Sequence, residues 1–158
     1  MARIGFGYDS HRFAQGRPLV LGGVGIEHNM GLAGHSDADA VLHALTDAIL
    51  GAIAAGDIGE HFPDSDPRWS NAASDQFVQH ALSLAKARHL RVVNCDITIL
   101  TELPKLKAYK TSMQVNIARI LGVSAGDVSI KAKTNEGMGW IGRGEGLAAM
   151  AIVLLDNE

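Results

Sequence analysis

Apolar and polar residues repeat along this chain with two different periods, and the changes between them mark its elements. Arg3 to His11 alternates with glycine and ends in Tyr8-Asp9-Ser10-His11, a short strand on which Asp9 and His11 share a face. Pro18 to Gly22 reads as a second strand hairpinned to the first, and Gly22 to Gly34 as loop. From Asp37 to about Ala55 the period lengthens to that of a helix. At roughly 100° per residue, Val41, Leu45, Ala48, Ile49 and Ala52 form its core face, while Asp39, His43 and Asp47 form a polar stripe on the other side. Ser36 followed by Asp39 has the form of a capping box, and Gly56 with Asp57 supplies a stop.

Pro63 and Pro67 make His61 to Pro67 a loop. Asn71 to His89 is again helical, with Phe77, Val78, Ala81, Leu82 and Ala85 as its buried side, and Arg91 to Leu100 is rich in β-formers. Thr101 to Lys107 breaks that strand and leads into a helix ending near Leu121, with Gly122 just beyond its end. Asp127 to Lys133 is a short strand, Thr134 to Gly146 a glycine-rich connection, and Leu147 to Leu155 a closing strand buried on both faces. The order β-β-α-α-β-α-β-β, without repeat or linker, predicts an α/β (α+β) sandwich. Its helices pack on one face of a mixed sheet, in a single domain over residues 1–158.

Composition narrows the class. A hydrophobic fraction of 47% with 20% charged residues describes a folded globular chain, and a net charge of -3 without a basic stripe speaks against nucleic acid as a partner. The longest apolar run, Leu147 to Leu155, falls short of the ~20 residues that span a bilayer, so no membrane role is expected. The lone Cys95 cannot form an intramolecular disulfide, and the N-terminus carries no targeting signal. A cytoplasmic location follows as the expectation. Cys95 lies among apolar neighbours and reads as a small buried hydrophobe rather than a nucleophile.

Asp9 and His11 on one strand face, with His43 on a nearby helix, are the right donor types for zinc with a fourth position open. The same residues also suit a plainer reading, since Asp-x-His arises by chance and a lone helical His is more often a surface or core residue. Asp39 and Asp47 flank His43 at helical spacing and can hold its second ring nitrogen, or simply form a solvated face. His28, His61, His80 and His89 have no such company. Gly5-Phe6-Gly7 is no dinucleotide fingerprint, because Ser10 stands at the third glycine position and no helix signal follows. After the strand ending at Lys133, the Thr134-Asn135-Glu136 segment is either a phosphate cradle or a tight turn. Glu136 suits a hard cation, and Arg143 suits either an anion or an ion pair with Glu145.

Taken in order, Gly7-Tyr8-Asp9-Ser10-His11, Gly34-His35-Ser36-Asp37-Ala38-Asp39, His43-Ala44-Leu45-Thr46-Asp47, Gly56-Asp57-Ile58-Gly59, Phe62-Pro63-Asp64-Ser65-Asp66, Pro104-Lys105, and Thr134-Asn135-Glu136 through Gly142-Arg143-Gly144-Glu145-Gly146 closely resemble the 2-C-methyl-D-erythritol 2,4-cyclodiphosphate synthase family. The likeness covers nearly the whole chain, and the length suggests the stand-alone enzyme without a fused cytidylyltransferase. It implies a homotrimeric enzyme of the non-mevalonate isoprenoid pathway, with each active site shared between neighbouring subunits. The reaction implied converts 4-diphosphocytidyl-2-C-methyl-D-erythritol 2-phosphate to the cyclic diphosphate and releases CMP. By the same resemblance Asp9, His11 and His43 bind Zn²⁺, Glu136 helps hold Mg²⁺ or Mn²⁺, and His35 and Thr134 stabilise the transition state.

The resemblance also implies the substrate contacts. Asp57, Ile58 and Gly59 with Phe62, Pro63, Asp64, Ser65 and Asp66 surround the methylerythritol phosphate. Thr101, Glu102, Leu103, Pro104, Lys105, Leu106 and Lys107, with Lys133, Thr134, Asn135 and Glu136, bind the cytidine diphosphate end from an adjacent subunit. Asp9, His11, His35, Ser36, Trp140 and Arg143 complete the set. Thr101-Glu102-Leu103, Lys107 and Trp140 depart from commoner family residues. Two other classes stand beside this one: a zinc-dependent phosphohydrolase using water, and a trimeric binding protein holding an isoprenoid diphosphate in its central cavity.

Overall fold

Glycine at alternate inward positions lets the first strand carry a helix directly on its backbone. In the computed structural model, which describes residues 1–158, the elements in chain order are β1 (Arg3–Ala14), β2 (Leu19–Leu21), β3 (Val24–Ile26), β4 (Gly31–Leu32), α1 (Ala40–Ala52), α2 (Ile58–His61), α3 (Asp75–Lys86), β5 (Leu90–Leu100), α4 (Lys110–Leu121), β6 (Val128–Lys133), α5 (Gly139–Gly142) and β7 (Gly146–Asn157). The main sheet runs β4-β1-β7-β5-β6, with only β5 and β6 parallel, so it is mixed as expected.

Its inner face is graded in size. Gly7 pairs with Ala151, Ala151 with Ile97, and Ile97 with Ile130. Small residues therefore lie under α1, which packs against β1 and β7, and bulkier ones lie toward α3 and α4. Leu42, Leu45, Ile49 and Leu50 of α1 are all essentially inaccessible, each contributing about 1.5–3 kcal/mol through burial. The five predicted core positions of this helix are buried, but so is most of its remaining surface, because α3 packs against it and α2 and β2 close its edges.

Several boundaries differ from expectation. The Pro18–Gly22 strand does not pair with β1. It pairs with β3 across Gly22 and Gly23, whose φ values of 61° and 74° make the two-residue turn that suits a hairpin. The 22–34 stretch therefore holds two short strands rather than loop alone. The α1 helix begins at Ala40, because Asp39 is extended and caps it, and α3 begins at Asp75 rather than near Asn71. The closing strand is not buried on both faces: its pattern turns alternating after Ala149, and Ile152 is 47% exposed. Ile152 pairs with Phe6, and with Ile4 and Tyr8 beside it the outer sheet face is an open apolar strip. No helix is long and apolar enough to cross a membrane.

Cys95 faces the core from β5, and burial pushes its thiol up to about 12. The folded chain is expected to resist thiol reagents at neutral pH and to react fully once denatured. Rapid labelling of the native chain, followed by mass spectrometry, would contradict this placement.

Candidate active site

Period-two geometry on β1 turns Gly5, Gly7, Asp9 and His11 toward α1, while Ile4, Phe6 and Tyr8 turn away. Asp9 and His11 thereby meet His43, which lies one helical turn beyond the cap. Asp9 Oδ2 is 2.7 Å from His11 Nε2 and 3.2 Å from His43 Nδ1, and the two imidazole nitrogens are 3.3 Å apart. His11 Nδ1 lies 2.7 Å from the Ala33 carbonyl oxygen, which can only accept, so the ring proton is there and Nε2 is left for the cluster. Burial disfavours charge on both partners, yet the imidazoles hold Asp9 below the usual carboxylate range and Asp9 holds His11 above the usual imidazole range.

The donor set fits a divalent metal. All three ligand atoms lie within 4.8 Å of one another. Asp9 Oδ2 is buried without a hydrogen-bond partner, and a cation seated among the three ligand atoms would satisfy it. Two nitrogens and one carboxylate oxygen beside an open cavity are a donor set that suits a divalent transition metal.

Neither Asp39 nor Asp47 holds the second nitrogen of His43. Asp39 is fully buried, and its carboxylate accepts N–H bonds from Gly22, Gly23 and Leu42 at 2.9, 2.7 and 3.0 Å, joining the α1 start to the β2–β3 turn. Burial raises its carboxyl to about 6 against those three bonds. Asp47 accepts from Ile58 N at 2.7 Å and docks α2. Nε2 of His43 instead meets Ser74 Oγ at 2.8 Å and Ser36 Oγ at 3.1 Å. Ser74 escaped the sequence reading because it looks like an ordinary helix cap. It makes no capping bond.

A cavity of about 380 Å³ opens over the cluster, lined by Asp9, His11, His43, His35 and Ser36 and walled by Ile58, Gly59, Phe62, Asp64, Trp69 and Phe77. His35 Nε2–H donates to the Asp66 carbonyl at 3.1 Å, and Arg17 clasps the Gly34 and Ser36 carbonyls, so the 34–36 loop is pinned. Asp57 caps α2 through Glu60 N and Asp66 pairs with Arg68; neither lines the cavity, nor do Pro63 and Ser65. Trp69 and Phe77 are wall residues that sequence reasoning missed, because their contacts with Phe62 are made only in the fold.

A second cavity of about 380 Å³ shares no residue with the first. Thr101, Pro104, Leu106 and Thr134 line it together with Lys105, Lys107, Lys110 and Lys133. Thr134 and His35 therefore stand in separate cavities of one chain. The loop after β6 is less free to cradle an anion than its glycines suggest, because Glu102 Oε1 already accepts from Asn135 N at 2.8 Å and Gly137 N at 3.2 Å. Glu136 sits there with φ 54° and joins no second group of ligating side chains. Arg143 pairs with Glu145 at 3.2 Å, and with Glu102 and Leu103 it borders a third cavity; Trp140 is 38% exposed and lines none of the three. His61 and His80 hydrogen-bond each other at 3.1 Å beside Phe62.

The sequence model of the YgbB family matches residues 2–156. A bifunctional enzyme IspD/IspF of Caulobacter vibrioides is 53% identical over 157 residues, covering 99% of this chain and 41% of the relative. The chain thus spans about two fifths of the bifunctional relatives it matches. A 2-C-methyl-D-erythritol 2,4-cyclodiphosphate synthase of Geobacillus kaustophilus is 52% identical over 158 residues, covering 100% of both chains. A solved 2C-methyl-D-erythritol-2,4-cyclodiphosphate synthase in a CDP-bound form superimposes with a TM-score of 0.90 at 39% identity, covering 98% of this chain and 100% of that one.

Proposed function

The chain belongs to the YgbB family, and from that premise we propose that it is a 2-C-methyl-D-erythritol 2,4-cyclodiphosphate synthase, a metal-dependent lyase that cyclises 4-diphosphocytidyl-2-C-methyl-D-erythritol 2-phosphate and releases CMP. The observation that carries this reading is the convergence of Asp9, His11 and His43 on one point in the wall of a cavity that also holds His35 and Ser36.

In this reading Asp9 Oδ2, His11 Nε2 and His43 Nδ1 hold Zn²⁺, and Glu136 holds Mg²⁺ or Mn²⁺ together with substrate phosphates. When bound, such cations offset the repulsion between two approaching phosphates and align the attacking and leaving oxygens. The nucleophile is the substrate's own 2-phosphate, which attacks the β-phosphorus as CMP leaves. A phosphate monoester with a second pKa near ~6 is largely dianionic at neutral pH, so no side chain has to remove a proton from it. The task of the chain is placement. The 34–36 loop, held by Arg17 and the Asp66 carbonyl, presents His35 and Ser36 to one end of the substrate. Lys105, Lys107 and Lys133 with Thr134 present donors to the diphosphate at the other, and a solved relative in a CDP-bound form supports a nucleoside diphosphate as the ligand. Holding both ends in one reactive conformer supplies the rate advantage of an intramolecular reaction.

Each chain carries these two ends in separate cavities, which supports a homotrimer whose active sites are completed across subunits. The open strip of Ile4, Phe6, Tyr8 and Ile152 supports the same assembly, being an apolar face of the kind that obligate interfaces cover. An isoprenoid diphosphate in the cavity that such a trimer encloses belongs to this reading, with Arg143 meeting its anion. So do one catalytic domain over residues 1–158, supported by a single core cluster, and a cytoplasmic location, supported by the unpaired Cys95.

Incubation with the cytidyl substrate and Mg²⁺, followed by phosphorus NMR, should show the cyclic diphosphate and CMP. A linear phosphate would instead mean attack by water and a phosphohydrolase. Glu136→Gln is expected to weaken the apparent Mg²⁺ or Mn²⁺ affinity on the order of tenfold, through loss of one ligand charge. An unchanged metal titration would remove Glu136 from the ligand set.

A further inference from the structure

We propose that Ser74 and Asp37 are positioning residues for His43: a hydrogen-bonded chain from Asp37 through Ser74 holds the imidazole in the tautomer whose Nδ1 lone pair faces Asp9 and His11. The inference rests on the reading of Asp9, His11 and His43 as a metal site and adds what makes His43 competent within it.

The direction of each bond follows from which groups can donate. Asp37 Oδ1 takes the Ser74 hydroxyl and the Asp39 N–H at 3.1 Å, while Oδ2 takes the Ser74 N–H at 3.0 Å. A carboxylate only accepts, so the Ser74 hydroxyl proton points to Asp37. What Ser74 Oγ offers His43 Nε2 at 2.8 Å is therefore a lone pair, and the imidazole must carry its proton on Nε2. Ser36 Oγ, 3.1 Å from the same nitrogen, also accepts from Ala38 N at 3.3 Å, which leaves its own proton free to turn into the cavity it lines.

Ser74 is fully buried at the cap position just before α3, so water does not compete for these bonds. Its hydroxyl is diverted from capping that helix to serving a histidine on another. His11 is fixed by a different device, the Ala33 carbonyl, with the same result: both imidazoles present a bare nitrogen to Asp9. Without Ser74, His43 would divide between tautomers, and the unwanted one sets an N–H where a ligand is needed. Loss of such an outer partner typically costs ~10–100-fold in metal affinity.

The test measures zinc affinity of the full-length chain by competition with a chromophoric chelator, the visible spectrum after Co²⁺ substitution, and the imidazole ¹⁵N shifts of His43 in metal-free protein. The wild-type chain should show the Nε2–H tautomer. Ser74→Ala should bind zinc ~10–100-fold more weakly with an altered Co²⁺ spectrum, and Ser74→Thr, which keeps the hydroxyl, should recover both. Wild-type affinity and spectrum in Ser74→Ala would overturn the proposal. If that variant does not fold, the wild-type chain still decides, because an Nδ1–H tautomer contradicts the proposed chain of bonds. Zinc binding by His43→Ala as tight as wild type would instead overturn the metal site itself and this inference with it. Loss in His43→Ala without loss in Ser74→Ala would overturn the inference alone.

Discussion

His43→Ala is expected to empty the proposed zinc site and to lower turnover by well over the ~100-fold that loss of an outer metal partner can cost, while the chain keeps its fold. The proposed site has only three protein ligands. Removing Nδ1 leaves Asp9 Oδ2 and His11 Nε2, 2.7 Å apart, two ligands where a zinc site needs at least three. The fold should survive for local reasons. His43 is only partly buried, alanine is the best helix former, and α1 is started by Asp39 and held by Leu42, Leu45 and Ile49. Zinc content after gel filtration, near-ultraviolet circular dichroism and phosphorus NMR of the product together read the outcome. Normal turnover in a zinc-free variant would sink the assignment.

How much of this site could be read in the sequence depended on whether the deciding contact was local. Strand alternation places Asp9 and His11 on one face, and helical spacing gives α1 its core side; both periods are local and both are found in the fold. The left-handed Gly122 ends α4 as its position suggests. Asp39 failed the same test because its partners, Gly22 and Gly23, lie on another element, and a residue that grips them cannot also stand on the helix face beside His43. Those two glycines were a hairpin signal between Leu19–Leu21 and Val24–Ile26, obscured because each strand is only three residues long. The β7 strand looked uniformly apolar because Ala148, Ala149 and Ala151 differ little from their neighbours in hydrophobicity. The exposure of Ile152 is a property of the sheet's uncovered side, set by which face the helices took. Ser74 and Asp37 are distant in sequence, and their link to His43 exists only once α3 is docked on α1.

Gly7→Ala is expected to damage stability and site together. A Cβ built at Gly7 would fall 1.8 Å from the Ala44 carbonyl oxygen and 2.8 Å from Ala48 N, and one at Gly5 would fall 1.7 Å from the Ala48 carbonyl oxygen. The obstructing atoms are helix backbone, so no side chain can turn aside. Either α1 retreats from β1 by about 1 Å or more, or the strand bends away. Overpacking of this kind costs about 1–3 kcal/mol where side chains can yield, and here the cost should reach or pass the upper end. For a chain of this size that corresponds to a fall of roughly 6–12 °C in melting temperature. The same displacement separates His43, on α1, from Asp9 and His11, on β1, so zinc affinity should fall in step with stability. Gly51→Ala is the matched control on the helix side: its Cβ would meet only the Phe6 carbonyl oxygen, at 3.7 Å. Replacing a helical glycine there should be neutral or stabilise by ~0.5–1 kcal/mol. Thermal melts of the two variants, with zinc content measured on each, decide the point. A Gly7→Ala chain as stable and as well loaded with zinc as wild type would mean that the glycines of β1 do not set the distance between the strand and helix halves of the site.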